Sequence, residues 1–98
     1  MIVVRDVFRL KFGKARDVKA LMKESQNLMD AEDVKNSRVL FDLVGPSYTM
    51  VLEMSHASLA AFEASMSRAM GKDEWRGWYE RFIPLIESSY REIFTVME

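Results

Sequence analysis

The hydrophobic period of this chain switches from two to that of a helix and back again, twice over, and few architectures accept that order. Ile2 to Phe12 alternates: Ile2, Val4, Phe8, Leu10 and Phe12 share one parity, while Arg5, Arg9 and Lys11 share the other with Val3 and Val7. Period two with β-branched and aromatic residues predicts a strand, ended by Gly13. From Lys14 the positions Val18, Leu21, Met22, Ser25, Leu28 and Met29 fall on one helical stripe. Asp30, Glu32 and Asp33 oppose the helix dipole at its end, so the helix is expected to fray there, with Asn36 and Ser37 as loop.

Arg38 to Val44 alternates again, with Val39, Phe41 and Leu43 as a fully apolar parity. Gly45-Pro46-Ser47 is a turn, because Pro46 fixes φ and has no N–H for a ladder. Tyr48, Met50, Leu52 and Met54 form the apolar parity of the next strand, so the two strands make a hairpin. Ser58 is the expected N-cap of a second helix whose stripe is Leu59, Phe62, Met66, Ala69 and Met70, with Gly71 as its stop. Asp73 and Glu74 favour a fresh helix start, and Trp75, Trp78, Tyr79, Phe82 and Ile86 carry an aromatic stripe that Pro84 ends or bends. Tyr90 to Met97 reads as a last strand. The order β-α-β-β-α-β predicts a ferredoxin-like α+β fold, one antiparallel sheet with helices on one face.

Length and composition narrow the function classes. The 98 residues, 49% hydrophobic, suit one domain over 1–98. A net charge of −1 without a basic stripe argues against nucleic acid. Zero cysteines exclude a disulfide framework, a thiolate zinc site, an iron–sulfur cluster and Cys-based catalysis. The opening Met1-Ile2-Val3-Val4-Arg5-Asp6 meets charge too early for a signal peptide, and no apolar run approaches membrane length. A cytoplasmic protein with no membrane insertion is the expectation. Neither a Gly-x-Ser-x-Gly elbow nor a Gly-rich phosphate loop occurs, and no His/carboxylate spacing suggests a metal, so no cofactor is called for.

The second parities of the strands are half apolar: Leu40, Val44 and Val51 lie among Arg38, Asp42, Thr49 and Glu53. An open apolar sheet face invites association. Two such sheets face to face would close a barrel across a two-fold axis, so a homodimer is expected.

Few side chains could carry chemistry. His56, the sole histidine, is of the residue type most used as a general base and precedes the second helix, where a base could be displayed; a solvated loop residue is the plainer reading. Asp42 and Glu53, with Arg38 nearby, could be partly desolvated carboxylates suited to base catalysis, or members of register-fixing Arg38–Asp42 or Arg5–Glu53 pairs. Asp6 is the odd member of an apolar parity, and is either buried with a partner or near a bulge. Trp75 and Tyr79 could stack on a flat ligand or simply pack the core.

From Gly45-Pro46 onward a further pattern emerges: Ser58-Leu59-Ala60-Ala61, Asp73-Glu74-Trp75 and Pro84-Leu85-Ile86, with Lys11-Phe12-Gly13-Lys14 upstream. This resembles the NIPSNAP-like proteins of the dimeric α/β-barrel superfamily, whose members show a "DSLAAR"-like helix start, a "D-x-EW" start, a closing "PL" and a Lys-Pro-Gly turn. The likeness spans nearly the whole chain, is strongest from Asp73 to Ile86, and includes no catalytic signature. It implies a ferredoxin-like protomer, a homodimer and an undefined biochemical role. Many members carry a Glu-x-Arg pair on the first strand; here those positions are Val4 and Asp6, so the pair's role does not transfer. Three functions follow in order. The first is a small dimeric barrel protein of undefined biochemical role, either without demonstrable catalysis or binding a small apolar ligand. The second is a cofactor-independent monooxygenase or isomerase, with Asp42, Glu53 or His56 as base and Arg38, Trp75 and Tyr79 binding the substrate. The third is a protein interaction module.

Overall fold

The structure is a computed structural model that describes residues 1–98. Four strands, β1 (Ile2–Leu10), β2 (Ser37–Phe41), β3 (Thr49–His56) and β4 (Ile86–Thr95), form one sheet in the order β2-β3-β1-β4, antiparallel throughout. Helices α1 (Ala15–Ser25), α2 (Ala31–Lys35), α3 (Leu59–Met70) and α4 (Asp73–Phe82) cover one face. This is the ferredoxin-like α+β arrangement. No helix is long and apolar enough to cross a membrane.

β1 is an inner strand, pairing with β3 through Val4↔Met54 and Asp6↔Leu52 and with β4 through Val4↔Ile93 and Asp6↔Arg91. Its even-numbered residues face the helices. Val4 and Leu10 are buried there, and so are Met50 and Met54 on β3. Fully burying one such side chain contributes about 1.5–3 kcal/mol. The core comes as two clusters. Leu10, Val18, Leu21, Met22, Met50 and Phe82 make the larger, and Val4, Met54 and Phe62 the smaller.

Several boundaries differ from the sequence reading, each for a local reason. β1 ends at Leu10, and Phe12 is 88% exposed, tilted against the Tyr48 ring at 4.9 Å. β2 stops at Phe41, not Val44. Asp42 accepts the Thr49 backbone N–H at 2.9 Å through Oδ1, and the Thr49 hydroxyl donates to the Pro46 carbonyl at 2.8 Å. With Gly45 at φ 122° and Tyr48 at φ 61°, the chain turns early, leaving Leu43 95% exposed instead of facing the helices, and Val44 93% exposed in the turn instead of on the opposite face of the sheet.

The first helical region is broken rather than frayed. α1 passes into a 3-10 turn at Gln26–Leu28, and Asp30 then precedes α2 with Glu32 and Asp33 in its first turn. Carboxylates that disfavour a helix end favour a helix start, and the chain takes the second option. Ser37 belongs to β2 rather than to a loop.

Ser58 caps α3, accepting the Ala61 N–H at 3.1 Å. The buried stripe of α3 is Phe62, Ser65 and Ala69, whereas Leu59 and Met70 are half exposed. Ser65 turns inward because its hydroxyl donates to Asp33 Oδ2 at 2.7 Å, tying α3 to α2. Gly71 follows α3 at an ordinary φ of −77°; a Cβ there would meet the Ser67 carbonyl oxygen at 3.2 Å. β4 begins at Ile86, after the Pro84 turn, and ends at Thr95, because β1 offers partners from Leu10↔Ile86 to Ile2↔Thr95. Pairing of this kind overrides the poor strand preference of Ser88 and Ser89.

Met50→Ala is expected to destabilise the protein by about 2–5 kcal/mol and Ser58→Ala by about 1 kcal/mol, whereas Leu43→Ser changes stability by less than about 0.5 kcal/mol. Urea unfolding of the three variants checks this order.

Candidate functional site

The last helix holds two stacked aromatic pairs, each four residues apart. Trp78 and Phe82 stack at 4.8 Å, and Phe82 meets Phe8 of β1 edge to face at 5.3 Å. The Trp78 indole N–H donates to the Leu21 carbonyl at 2.6 Å, and Arg81 pairs with Glu24 at 3.0 Å, so α4 is fastened to α1. One turn earlier, Trp75 and Tyr79 stack at 4.5 Å with 15° between their planes, but have no core cluster to join.

They line a cavity instead. Between the helices and the sheet lies a space of about 670 Å³ bounded by twenty-two residues, fifteen of them hydrophobic. Met22, Leu28 and Met29 line it from the first helical region, Met66 and Ala69 from α3, and Trp75, Trp78, Tyr79 and Phe82 from α4. The sheet contributes Phe8, Val39, Leu52 and Met54, together with Asp6 and Arg91. A concave, mostly apolar site with a few convergent polar groups is the usual form of a small-molecule site.

Asp6 and Arg91 are the charged centre of this floor. They are cross-strand partners on β1 and β4, and Arg91 Nε donates to Asp6 Oδ1 at 2.5 Å while Nη2 donates to Oδ2 at 3.2 Å. The two-pronged geometry is the strong form of an arginine–carboxylate bond. The Asp6 side chain is 10% exposed and that of Arg91 47%. The guanidinium carbon lies over the face of the Phe62 ring, 5.0 Å from its centroid. The hydrogen bond from Arg91 to Asp6 raises the guanidinium above its ordinary pKa; burial opposes this and the Asp6 charge adds to it.

The structure separates the residues singled out in the sequence. Trp75 and Tyr79 line the cavity together, and Arg38 borders it. Arg38 is 67% exposed, and its guanidinium is held by Glu53, Nε and Nη2 donating to Oε1 at 3.0 and 2.8 Å. Glu53 also faces Arg5 Nε at 3.4 Å, making a ladder of Arg5, Glu53 and Arg38 across β1, β3 and β2 on the side away from the helices. Asp42 is in the hairpin turn, apart from this ladder, and is bound to the Thr49 N–H. His56 is the last residue of β3 rather than a loop residue, with its ring 5.4 Å from Phe62. None of Asp42, Glu53 and His56 lines the cavity. No group of three or more His, Asp or Glu side chains is placed to hold a metal ion.

Asp6 was legible as an anomaly of parity, but Arg91 was not. The usable signal was its shared parity with Ile93, which becomes meaningful only once the register sets it opposite Asp6.

Neither a family model nor a curated protein matches this chain. Solved structures do match it. A NIPSNAP family protein from Agrobacterium tumefaciens str. C58 superposes with a TM-score of 0.87 at 22% identity, over 99% of this chain and 86% of that one. An uncharacterized NIPSNAP domain protein from Burkholderia xenovorans gives 0.84 at 14% identity, over 99% and 95%. A candidate antibiotic biosynthesis monooxygenase from Nitrosomonas europaea gives 0.74 at 12% identity, over all of both chains. The class so defined is the ferredoxin-like α+β fold. Within that class, the likeness to NIPSNAP-like proteins read from the sequence extends to the fold of the whole chain.

Removing one member of the central pair should cost more than removing both. Asp6→Leu is expected to destabilise by about 1–3 kcal/mol, below the value for a fully buried pair because Arg91 reaches solvent, and adding Arg91→Met should restore most of the loss. Because the guanidinium is raised, its contribution is complete below the ordinary arginine range and is lost only above it. The coupling energy from a double-mutant cycle in urea should therefore be equal at about pH 7 and about pH 9.

Proposed function

We propose that residues 1–98 form one domain of a cytoplasmic homodimer that holds a small, flat, largely apolar ligand between its helices and its sheet. The observation that carries the reading is the cavity of about 670 Å³ with the Trp75–Tyr79 stack in its wall. Aromatic rings at partly exposed positions offer a flat surface to a flat molecule, and Trp75 and Tyr79 are the ligand-binding residues in this reading, with Arg38 at the border. Fold alone does not fix chemistry. What disfavours acid–base turnover in the cavity is that its lining includes one carboxylate, Asp6, already engaged by Arg91.

Support for the homodimer comes from the face of the sheet away from the helices. Val7 and Val51 are paired at its centre, with Leu40 38%, Tyr90 58% and Phe94 46% exposed around them. A second copy would bury this surface, leaving the Arg5–Glu53–Arg38 ladder at the seam, where charge pairs set register.

Native mass spectrometry of the untagged protein is expected to give a dimer, with a retained mass of a few hundred daltons if the ligand survives purification. Val51→Glu, which puts a charge at the centre of the face, should shift the protein to monomer. A wild-type monomer at micromolar concentration would overturn the homodimer.

A further inference from the structure

We propose that the cavity selects a neutral, flat ligand with one carbonyl acceptor, and that Arg91 anchors it. This rests on the binding reading above and narrows its ligand class. A guanidinium carries five N–H donors in one plane. Asp6 takes the edge made by Nε and Nη2, and Nη1 donates to no protein acceptor. The guanidinium carbon lies over the Phe62 ring, 5.0 Å from its centroid. Arg91 therefore presents an unused edge in the lining of an apolar cavity whose wall also holds the Trp75–Tyr79 stack.

Charge decides what that edge accepts. Asp6 already neutralises Arg91, and the guanidinium of Arg38, at the cavity's border, is turned to the opposite face of the sheet and held there by Glu53 at 2.8 Å. A carboxylate ligand would give up water to sit beside a pair with no net positive charge, and would face the Asp6 oxygens. A carbonyl oxygen avoids both costs and still receives a charge-assisted hydrogen bond. Of the hydroxyls in the lining, Ser25 donates to the Met22 carbonyl at 2.7 Å and Ser37 to the Val34 carbonyl at 2.9 Å, whereas those of Tyr79, Ser89 and Tyr90 donate to no protein acceptor, so loss of the ketone preference on removing Arg91 is what assigns the acceptor to the guanidinium. In this arrangement Asp6 is a positioning residue, holding the Arg91 fork through two hydrogen bonds.

Three matched probes test the proposal by isothermal titration calorimetry, with the indole N–H signals of the two tryptophans followed by NMR: 2-acetylnaphthalene, 2-naphthoate and 2-ethylnaphthalene. The ketone is expected to bind about tenfold more tightly than either of the others, as one charge-assisted hydrogen bond provides. In the Asp6→Leu/Arg91→Met double variant, which orphans no charge, the ketone should fall to the affinity of 2-ethylnaphthalene. Trp75→Leu should weaken all three probes. Should 2-naphthoate bind more tightly than the ketone, the site is an anion site and the proposal falls. Equal binding of 2-acetylnaphthalene and 2-ethylnaphthalene would remove the Arg91 anchor but leave the cavity reading intact. No shift of the Trp75 indole signal with any probe would overturn the binding reading, and the proposal with it. The ranking on the wild-type protein decides the outcome even where a variant does not fold.

Discussion

A carboxylate stands in the middle of the inward face of the strand that holds the sheet together, and much of the fold follows from accommodating it. Asp6 sits on β1 between Val4 and Phe8, where an apolar side chain would ordinarily join the core. An ionised group there is tolerable only when paired and hydrogen bonded. Arg91 supplies the partner across the β1–β4 ladder, and its guanidinium lies over the Phe62 ring of α3. The core is accordingly two clusters, one on either side of Asp6 along β1, with Leu52 packed against both. The cavity adjoins the pair that interrupts the core.

The aromatic helix shows how one sequence pattern serves two ends. Spacing by four places Trp75 over Tyr79 and Trp78 over Phe82, in two rows along the same helix. The second row is structural, because Phe82 reaches Phe8 and the Trp78 N–H takes the Leu21 carbonyl. The first row bounds the cavity. Core packing, the plainer reading of such a stripe, holds for half of it. Which half could not be read from spacing, since both rows have the same periodicity and composition.

Much of the fold was legible because alternation and helical spacing are imposed by local geometry. The Ser58 cap, the Asp73-Glu74 helix start and the Pro84 break were local as well, each satisfying or withholding a backbone group within a few residues. What misled were positions where a longer-range partner outweighed the local preference. Ser88 and Ser89 are strand residues because β1 pairs with them, and Ser65 faces inward because Asp33 accepts its hydroxyl. Leu43 is exposed despite its parity, because the carboxylate of Asp42 captures the Thr49 N–H and ends the strand early. The site was half legible. Trp75, Tyr79 and the oddity of Asp6 could be seen in the sequence, whereas the cavity and Arg91 could not.

By itself the sequence determined the order of elements, the ferredoxin-like class, and the absence of cysteine chemistry, because period, caps and composition act within a few residues of one another. It also marked Asp6 as needing an explanation. Only the tertiary structure decided what that explanation is. The register between β1 and β4, set by pairing between opposite ends of the chain, brings Arg91 to Asp6 and leaves Glu53 to Arg5 and Arg38 on the opposite face. A strand shifted by one residue would exchange those faces, and with them the cavity floor and the open surface.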